Sequence, residues 1–230
     1  MAGIELINVH KQYVVDERPV KVLNGISLKI PEKHITVILG RSGCGKTTLL
    51  RLTGGLEQAD EGEIRYGLSH KTAFVFQEPR LMPWLNVWNN VTFGLEKKDQ
   101  DQEKIERIIA AVGLSGFEKA YPSQLSGGEA QRVGIVRALI NEPAVIFADE
   151  PTGALNSAFG EQVLNTLSEV NKKGQSIVVV THDVKTARRA DRVVYLKDGM
   201  ICGECRLGTY TSNDMARHEK LNAFLTEMGW

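Results

Sequence analysis

No stretch of this chain is apolar for the roughly 18 residues that a membrane-spanning helix requires, so any work at a membrane calls for a partner to supply the membrane part. The opening residues, "MAGIELINVHKQY", lack a basic segment followed by an apolar core and do not read as a secretory signal. The expected location is the cytoplasm. Excess charge is also missing: 28 Lys and Arg face 28 Asp and Glu. Domains held on nucleic acid by bulk charge are strongly basic, so no nucleic-acid partner is expected. Cysteine is scarce, with Cys44, Cys202 and Cys205 alone. The last two form "CGEC", but a structural zinc site needs four ligands and no second pair exists. A thioredoxin-like pair opens a helix, whereas this one follows "VVYLKDGMI", a strand and a turn. It reads as two reduced thiols near a late strand. Repeats and low-complexity linkers are absent as well.

The 230 residues that remain to be explained are 42% hydrophobic and 24% charged, the balance of a globular domain that buries a core. Four apolar runs stand out: "HITVIL" (34–39), "TAFVF" (72–76), "AVIFA" (144–148) and "SIVVVT" (176–181). They are continuous rather than alternating, the pattern of parallel strands buried on both faces. The first runs into a glycine-rich loop, the second into Gln77, the third into Asp149 and Glu150, the fourth into His182 and Asp183. Ligands of open α/β sheets bind beyond the carboxyl ends of the strands, so one edge is expected to collect these groups.

The N-terminal segments "IELINVHKQY" and "VKVLNGISLKI" alternate as antiparallel strands do. The stretch from about 80 to 142 reads as helical, with helices over 102–114 and 127–140, the latter capped by Ser126 and stopped by Pro143. The expected fold is α/β: a mostly parallel sheet of the P-loop type, an antiparallel N-terminal subdomain and an inserted helical lobe. One domain spans 1–230, with its core over about 1–79 and 143–204, the lobe over about 80–142 and a tail over about 205–230. The amphipathic "HEKLNAFLTEMGW" at its end reads as a terminal helix.

"GRSGCGKT" fits G-x-x-x-x-G-K-[ST], between a strand and a helix. Gly40, Arg41, Ser42, Gly43, Cys44, Gly45, Lys46, Thr47 and Thr48 are the candidate cradle for nucleotide phosphates, built from backbone N–H groups at a helix start. Lys46 would reach the β- and γ-phosphates, and Thr47 would ligate Mg²⁺. In "AVIFADE" Asp149 is placed to hold Mg²⁺ through water, which leaves Glu150 to accept a proton from the attacking water. GTP is not the expected nucleotide: "NKKG" (171–174) lacks the Asp of an N-K-x-D guanine reader.

A second glycine loop, "LSGGEAQR" (125–132), resembles the signature sequence of ATP-binding cassette (ABC) ATPases. The family's other motifs stand in the same order: Tyr13, the phosphate loop, Gln77, the signature, "VIFADE" and His182. The resemblance covers nearly the whole chain. It implies that Tyr13 stacks on adenine, that Gln77 touches Mg²⁺ and relays the state of the site to the helical lobe, and that His182 holds the γ-phosphate and the water. It implies a head-to-tail dimer with a second copy or a homologous ATPase subunit. There Ser126, Gly127, Gly128 and Glu129 cap the ATP held by the partner's phosphate loop. One departure is Asn156 in "PTGALNS", where the family usually has an Asp that helps couple the two sites; Asn keeps the size and one acceptor but loses the charge.

The same resemblance implies a transmembrane permease partner. "EPRLMPWLNVWNNVTFGL" (78–95) is similar to the region that receives a short permease helix, and Met82, Leu85, Trp84 and Trp88 are the apolar residues expected there. They equally suit the interior of the lobe. Sub-family features divide. "VFQEPRLMPWLNVWNNV" looks like the ATPases of nitrate, sulfonate and taurine importers; "DEPTGALNS" and "ADRVVYLKDGMI" look like those of macrolide, lipoprotein and bacitracin-type exporters. Two rivals remain. One is a soluble ABC ATPase of DNA repair or translation; repair types insert a long coiled coil and translation types carry two cassettes. The other is a binding-only cassette, against which Lys46, Glu150 and His182 stand.

Overall fold

The computed structural model describes residues 2–67, 71–96, 98, 100–211 and 214–230. Strands β1 (Ala2–Val15), β2 (Arg18–Pro31) and β4 (Glu61–Tyr66) form an antiparallel sheet in the order β2-β1-β4. A six-stranded sheet runs β5 (Thr72–Val75), β6 (Val145–Asp149), β7 (Ser176–Thr181), β3 (Ile35–Leu39), β8 (Arg192–Lys197), β9 (Met200–Arg206). Its first five strands are parallel, and β9 closes the edge antiparallel to β8. The four apolar runs are thus strands of one parallel sheet.

Their continuous hydrophobicity has a direct cause. In β3, Ile35, Val37 and Leu39 enter one apolar cluster while Ile38 enters another; in β7, Ile177 and Val179 divide from Val178 and Val180 in the same way. Each strand is therefore buried on both faces, so alternation is absent. On one face lie the antiparallel sheet and helix α1 (Lys46–Thr53); on the other lie α4 (Gly127–Leu139), α5 (Ser157–Lys172), α6 (Val184–Ala187) and α7 (Met215–Glu227).

Between β5 and β6 the chain builds a third cluster. There α2 (Val87–Val91), α3 (Gln102–Ala111) and α4 share Val87, Val91, Ile105, Ile109, Val133 and Val136. Helix α3 ends at Ala111 rather than at residue 114, because Gly113 takes a left-handed φ of 71°. Helix α4 ends at Leu139, so Pro143 is not its stop; the chain turns earlier, with Glu142 at φ 49°. The terminal helix starts at Met215, capped by Asp214, which accepts from the Arg217 N–H at 3.0 Å. Buried Arg217 locks α7 down by donating to the carbonyls of Arg188, Leu207, Gly208 and Ala190.

Candidate functional site

The carboxyl ends of β3, β5, β6 and β7 bring five sequence-predicted groups to one edge: the phosphate loop, Gln77, Asp149, Glu150 and His182. The loop leaves β3 at Gly40, whose N–H donates to the Thr181 carbonyl of β7 at 3.3 Å. A Cβ at Gly40 would lie 2.3 Å from the Leu196 carbonyl oxygen, so only glycine permits that approach. Gly43 and Gly45 have φ of 81° and 101°, which turn the backbone into the first turn of α1. Arg41, Ser42 and Gly43 are exposed, and Cys44 is half-buried with its thiol pushed up by that burial. Lys46 is buried and folds back onto the loop, donating to the carbonyls of Gly40 (2.8 Å) and Arg41 (3.1 Å). Helix α1 has no acidic residue in its first turn and no side-chain cap, so its leading N–H groups remain open to an anion.

Beside the loop, the Thr47 hydroxyl donates to Asp149 Oδ1 at 3.1 Å. Burial pushes the Asp149 carboxyl up from the ordinary range and the Glu150 charge adds to it, while the Thr47 bond opposes. A partly buried carboxylate beside the Thr47 hydroxyl offers oxygen donors of the kind that suit Mg²⁺. Gln77 lies against the turn after β6: a Cβ at Gly153 would come 3.0 Å from its Nε2.

Glu150 follows Asp149 with φ 44°, a left-handed value that costs a non-glycine residue energy and that the surroundings must impose. Its N–H donates to the Val180 carbonyl at 2.9 Å, and its own carbonyl accepts from Gly153 N–H at 2.9 Å. The carboxylate accepts from the Thr181 hydroxyl at 2.8 Å and the His182 N–H at 3.3 Å, and meets His182 Nδ1 at 2.9 Å. Lys46 Nζ stands 3.7 Å away. Glu150, His182 and Lys46 therefore share one cluster.

Tyr13 is on β1, opposite Val20 of β2. Its hydroxyl donates to Glu57, a partner with no signature in the sequence. Burial first, then Glu57, push its hydroxyl pKa up, and the Thr48 hydroxyl opposes this.

The signature loop belongs to a different place. Ser126 caps α4: its Oγ accepts from Glu129 N–H at 3.3 Å, and Glu129 accepts from Ser126 N–H at 2.7 Å, a reciprocal capping box. Those bonds hold the Glu129 carboxyl below its ordinary range. Gly127 and Gly128 lie against Leu155 and Phe159 rather than the phosphate loop; a Cβ at Gly128 would come 2.9 Å from the Phe159 Cβ. Gly128 is thus required for packing α4 on α5. Further along α4, Gln131 donates to the Phe76 carbonyl (2.7 Å) and Arg137 to those of Pro79 (2.7 Å) and Arg80 (2.9 Å). The segment around Gln77 is tied to the signature helix by three bonds that the sequence did not reveal.

Asn156 caps α5, accepting from Phe159 N–H at 3.0 Å, a task that Asp and Asn perform equally. The apolar residues near Gln77 are not all exposed: Trp84 is 70% exposed, whereas Met82 and Leu85 are half-buried and Trp88 packs on the helical cluster. Phe93, 55% exposed, went unnoticed in the sequence. Cys202 and Cys205 lie on β9 with Cys202 exposed and Cys205 buried, on opposite faces of the strand.

The sequence and the fold resemble those of known proteins. The profile of the ABC transporter family matches residues 23–153. The chain is 39% identical over 220 residues to a macrolide export ATP-binding/permease protein, MacB of Pasteurella multocida; that covers 87% of this chain and 34% of the relative. The chain thus spans about a third of the length of the MacB relatives it matches. It is 40% identical over 206 residues to an aliphatic sulfonates import ATP-binding protein, SsuB 2 of Pseudomonas savastanoi, covering 89% of this chain and 74% of the relative. It is 37% identical to MJ0796 of Methanocaldococcus jannaschii, an ABC transporter ATP-binding protein, covering 89% of this chain and 97% of the relative. A solved dimeric, post-hydrolysis structure of that cassette with ADP and Pi superposes with a TM-score of 0.78 at 34% identity, covering 90% of this chain and all of the other. The division of sub-family features between exporter and importer recurs among these relatives. The chain belongs to the ABC transporter family, as one of its ATP-binding and ATP-hydrolysing cassettes.

Proposed function

We propose that this chain drives a solute across a membrane through a permease partner, as a head-to-tail dimer holding two ATP molecules between its subunits. The observation that carries this reading is the separation of the two anion-binding loops. The phosphate loop lies at the strand ends beside Asp149 and Glu150, while Gly127 and Gly128 pack on Leu155 and Phe159 rather than on that loop. One chain offers each half of a site without joining them, and a dimer joins each phosphate loop to its partner's signature.

Within one site, Tyr13 stacks on adenine and the backbone from Gly40 to Thr48 receives the phosphates. Lys46 exchanges its loop carbonyls for phosphate oxygens. Thr47, Gln77 and Asp149 hold Mg²⁺, which when bound offsets phosphate charge. Glu150 takes the proton of the attacking water. His182, already 2.9 Å from Glu150, holds the γ-phosphate end of the site. Ser126, Gly127, Gly128 and Glu129 act on the partner's ATP through the capped start of α4. Among the relatives one set is named for macrolide export and another for sulfonate import. Exposed Trp84 and Phe93 are the proposed contacts for the permease, which would hold the chain on the cytoplasmic face of the membrane.

The test separates the two loops. Ser126→Asp keeps a good helix cap but sets a carboxylate where the partner's γ-phosphate is to sit. This variant is expected to bind ATP normally and fail to dimerise. Gly128→Asp is less suitable because its side chain strikes Phe159 inside the same chain. Mixed with Lys46→Ala chains, Ser126→Asp chains would form one site that combines both lesions and one with neither. The mixture should hydrolyse ATP while each variant alone does not. Full activity of Ser126→Asp alone would remove the dimer reading.

A further inference from the structure

The Thr181 side chain is wholly buried at the end of β7, next to the residue pair that the sequence marks, and no motif accounts for its hydroxyl. That hydroxyl makes two bonds with opposite roles. It accepts from the Asp183 N–H at 3.0 Å and donates to Glu150 Oε2 at 2.8 Å. A hydroxyl has one proton. With the Asp183 N–H occupying a lone pair, the proton is directed at the carboxylate. We infer that Thr181 is the positioning residue of Glu150: it fixes one carboxylate oxygen so that the other faces the water. This rests on the proposed role of Glu150 as base.

Three further observations fit that task. Glu150 sits at φ 44°, so its backbone does not favour the position by itself and needs a side-chain anchor. The Thr181 carbonyl also accepts from Gly40 N–H at 3.3 Å, so one residue sets both the root of the phosphate loop and the aim of the carboxylate. Asp183 in turn is held from below. Its carboxylate accepts from the N–H of Lys185 (3.0 Å) and of Thr186 (3.1 Å), and from the Thr186 hydroxyl (2.9 Å). Since the Thr186 hydroxyl spends its proton there, the Thr152 hydroxyl, 3.3 Å away, is the donor to it. A continuous chain of bonds thus runs from Thr152, in the turn after β6, through Thr186, Asp183 and Thr181 to Glu150. His182 binds the opposite oxygen, Oε1, and is 57% exposed; its bond is open to rearrangement while the buried Thr181 bond is not.

Thr181→Val keeps the shape and removes the hydroxyl; Thr181→Ser restores the hydroxyl without the methyl group. Nucleotide affinity, melting temperature and single-turnover hydrolysis are measured on purified chains, alone and combined with Glu150→Gln. The valine variant is expected to bind ATP as the parent does and to hydrolyse it about ten- to a hundredfold more slowly, the effect of one hydrogen bond to a charged group. Serine should recover most of the rate. In the double variant, Thr181→Val should add little to Glu150→Gln, because it acts through that carboxylate. Unchanged hydrolysis in Thr181→Val, equal loss in the serine variant, or full multiplication of the two losses would each overturn the inference. Wild-type hydrolysis in Glu150→Gln would instead overturn the role of Glu150 on which it stands.

Discussion

Asp149 carries the clearest conflict between stability and function at the residue scale. Its carboxyl is pushed up chiefly by burial, and the adjoining Glu150 charge adds to this. The folded chain therefore holds that proton more tightly than the unfolded chain does. Nucleotide-free stability falls as pH rises from the ordinary carboxylate range through the raised value, and the loss is complete above it. Asp149→Asn keeps an acceptor for the Thr47 hydroxyl and removes the charge. Calorimetry without nucleotide at neutral pH should show a higher melting temperature for the variant. ATP with Mg²⁺ should then stabilise it less than the parent; a lower melting temperature would show that burial of the charge is not costly here. Tyr13 offers a second residue-scale test. Tyr13→Ala is expected to weaken ATP binding by about 1–3 kcal/mol, the usual worth of an aromatic ring stacked on a base. Tyr13→Phe keeps the ring, loses the hydroxyl's contacts with Glu57 and Thr48, and should bind nearly as the parent does, which nucleotide titration of both variants would check. Individual residues were the most legible part of the sequence. Glycines with forced φ, a lysine at fixed spacing and acids at a strand end follow from chemistry that tolerates few alternatives. Glu57 and Thr181 escaped because their role depends on where distant segments meet.

The signature helix α4 serves two ends at the element scale. Its start is a capping box readable from "SGGE", since a serine followed three places later by glutamate satisfies two N–H groups in any context. Its body was not readable in the same way. Arg137 donates to the carbonyls of Pro79 and Arg80, and burial holds its guanidinium below the ordinary range. Arg137→Met keeps most of the apolar stem but leaves two acceptors unpaired. Urea unfolding should show a loss of about 1–3 kcal/mol. If the tie also relays the state of Gln77, ATP hydrolysis should fall further than stability explains. An unchanged unfolding midpoint would mean that these bonds carry no net weight. Strands β4 and β9 were missed because their patterns are weak: β4 has no buried residue, and β9 lies at an edge with only Cys205 buried. An edge strand that faces solvent has no need of the apolar run by which β3 and β7 announced themselves.

At the scale of the whole molecule, the sheet brings the loop after β3, Gln77, Asp149, Glu150 and His182 to one edge, while Gly127 and Gly128 at the start of α4 pack on Leu155 and Phe159. The parallel core was legible because strands buried on two faces leave a continuous apolar record. The surfaces were not, because exposure at Trp84 and burial at Trp88 depend on packing that local sequence does not encode. The central claim is that ATP joins two copies of this chain and that hydrolysis parts them. Glu150→Gln should bind ATP and hydrolyse it about 10²–10⁴-fold more slowly, the usual contribution of a positioned base. It should therefore hold the joined state long enough to weigh. Light scattering on this variant is the direct measurement. With ATP and Mg²⁺ the account predicts twice the 25.4 kDa of one chain, and with ADP or with Ser126→Asp added to the same chain it predicts a single copy. A monomer under all conditions, or a dimer indifferent to nucleotide and to Ser126, would contradict it.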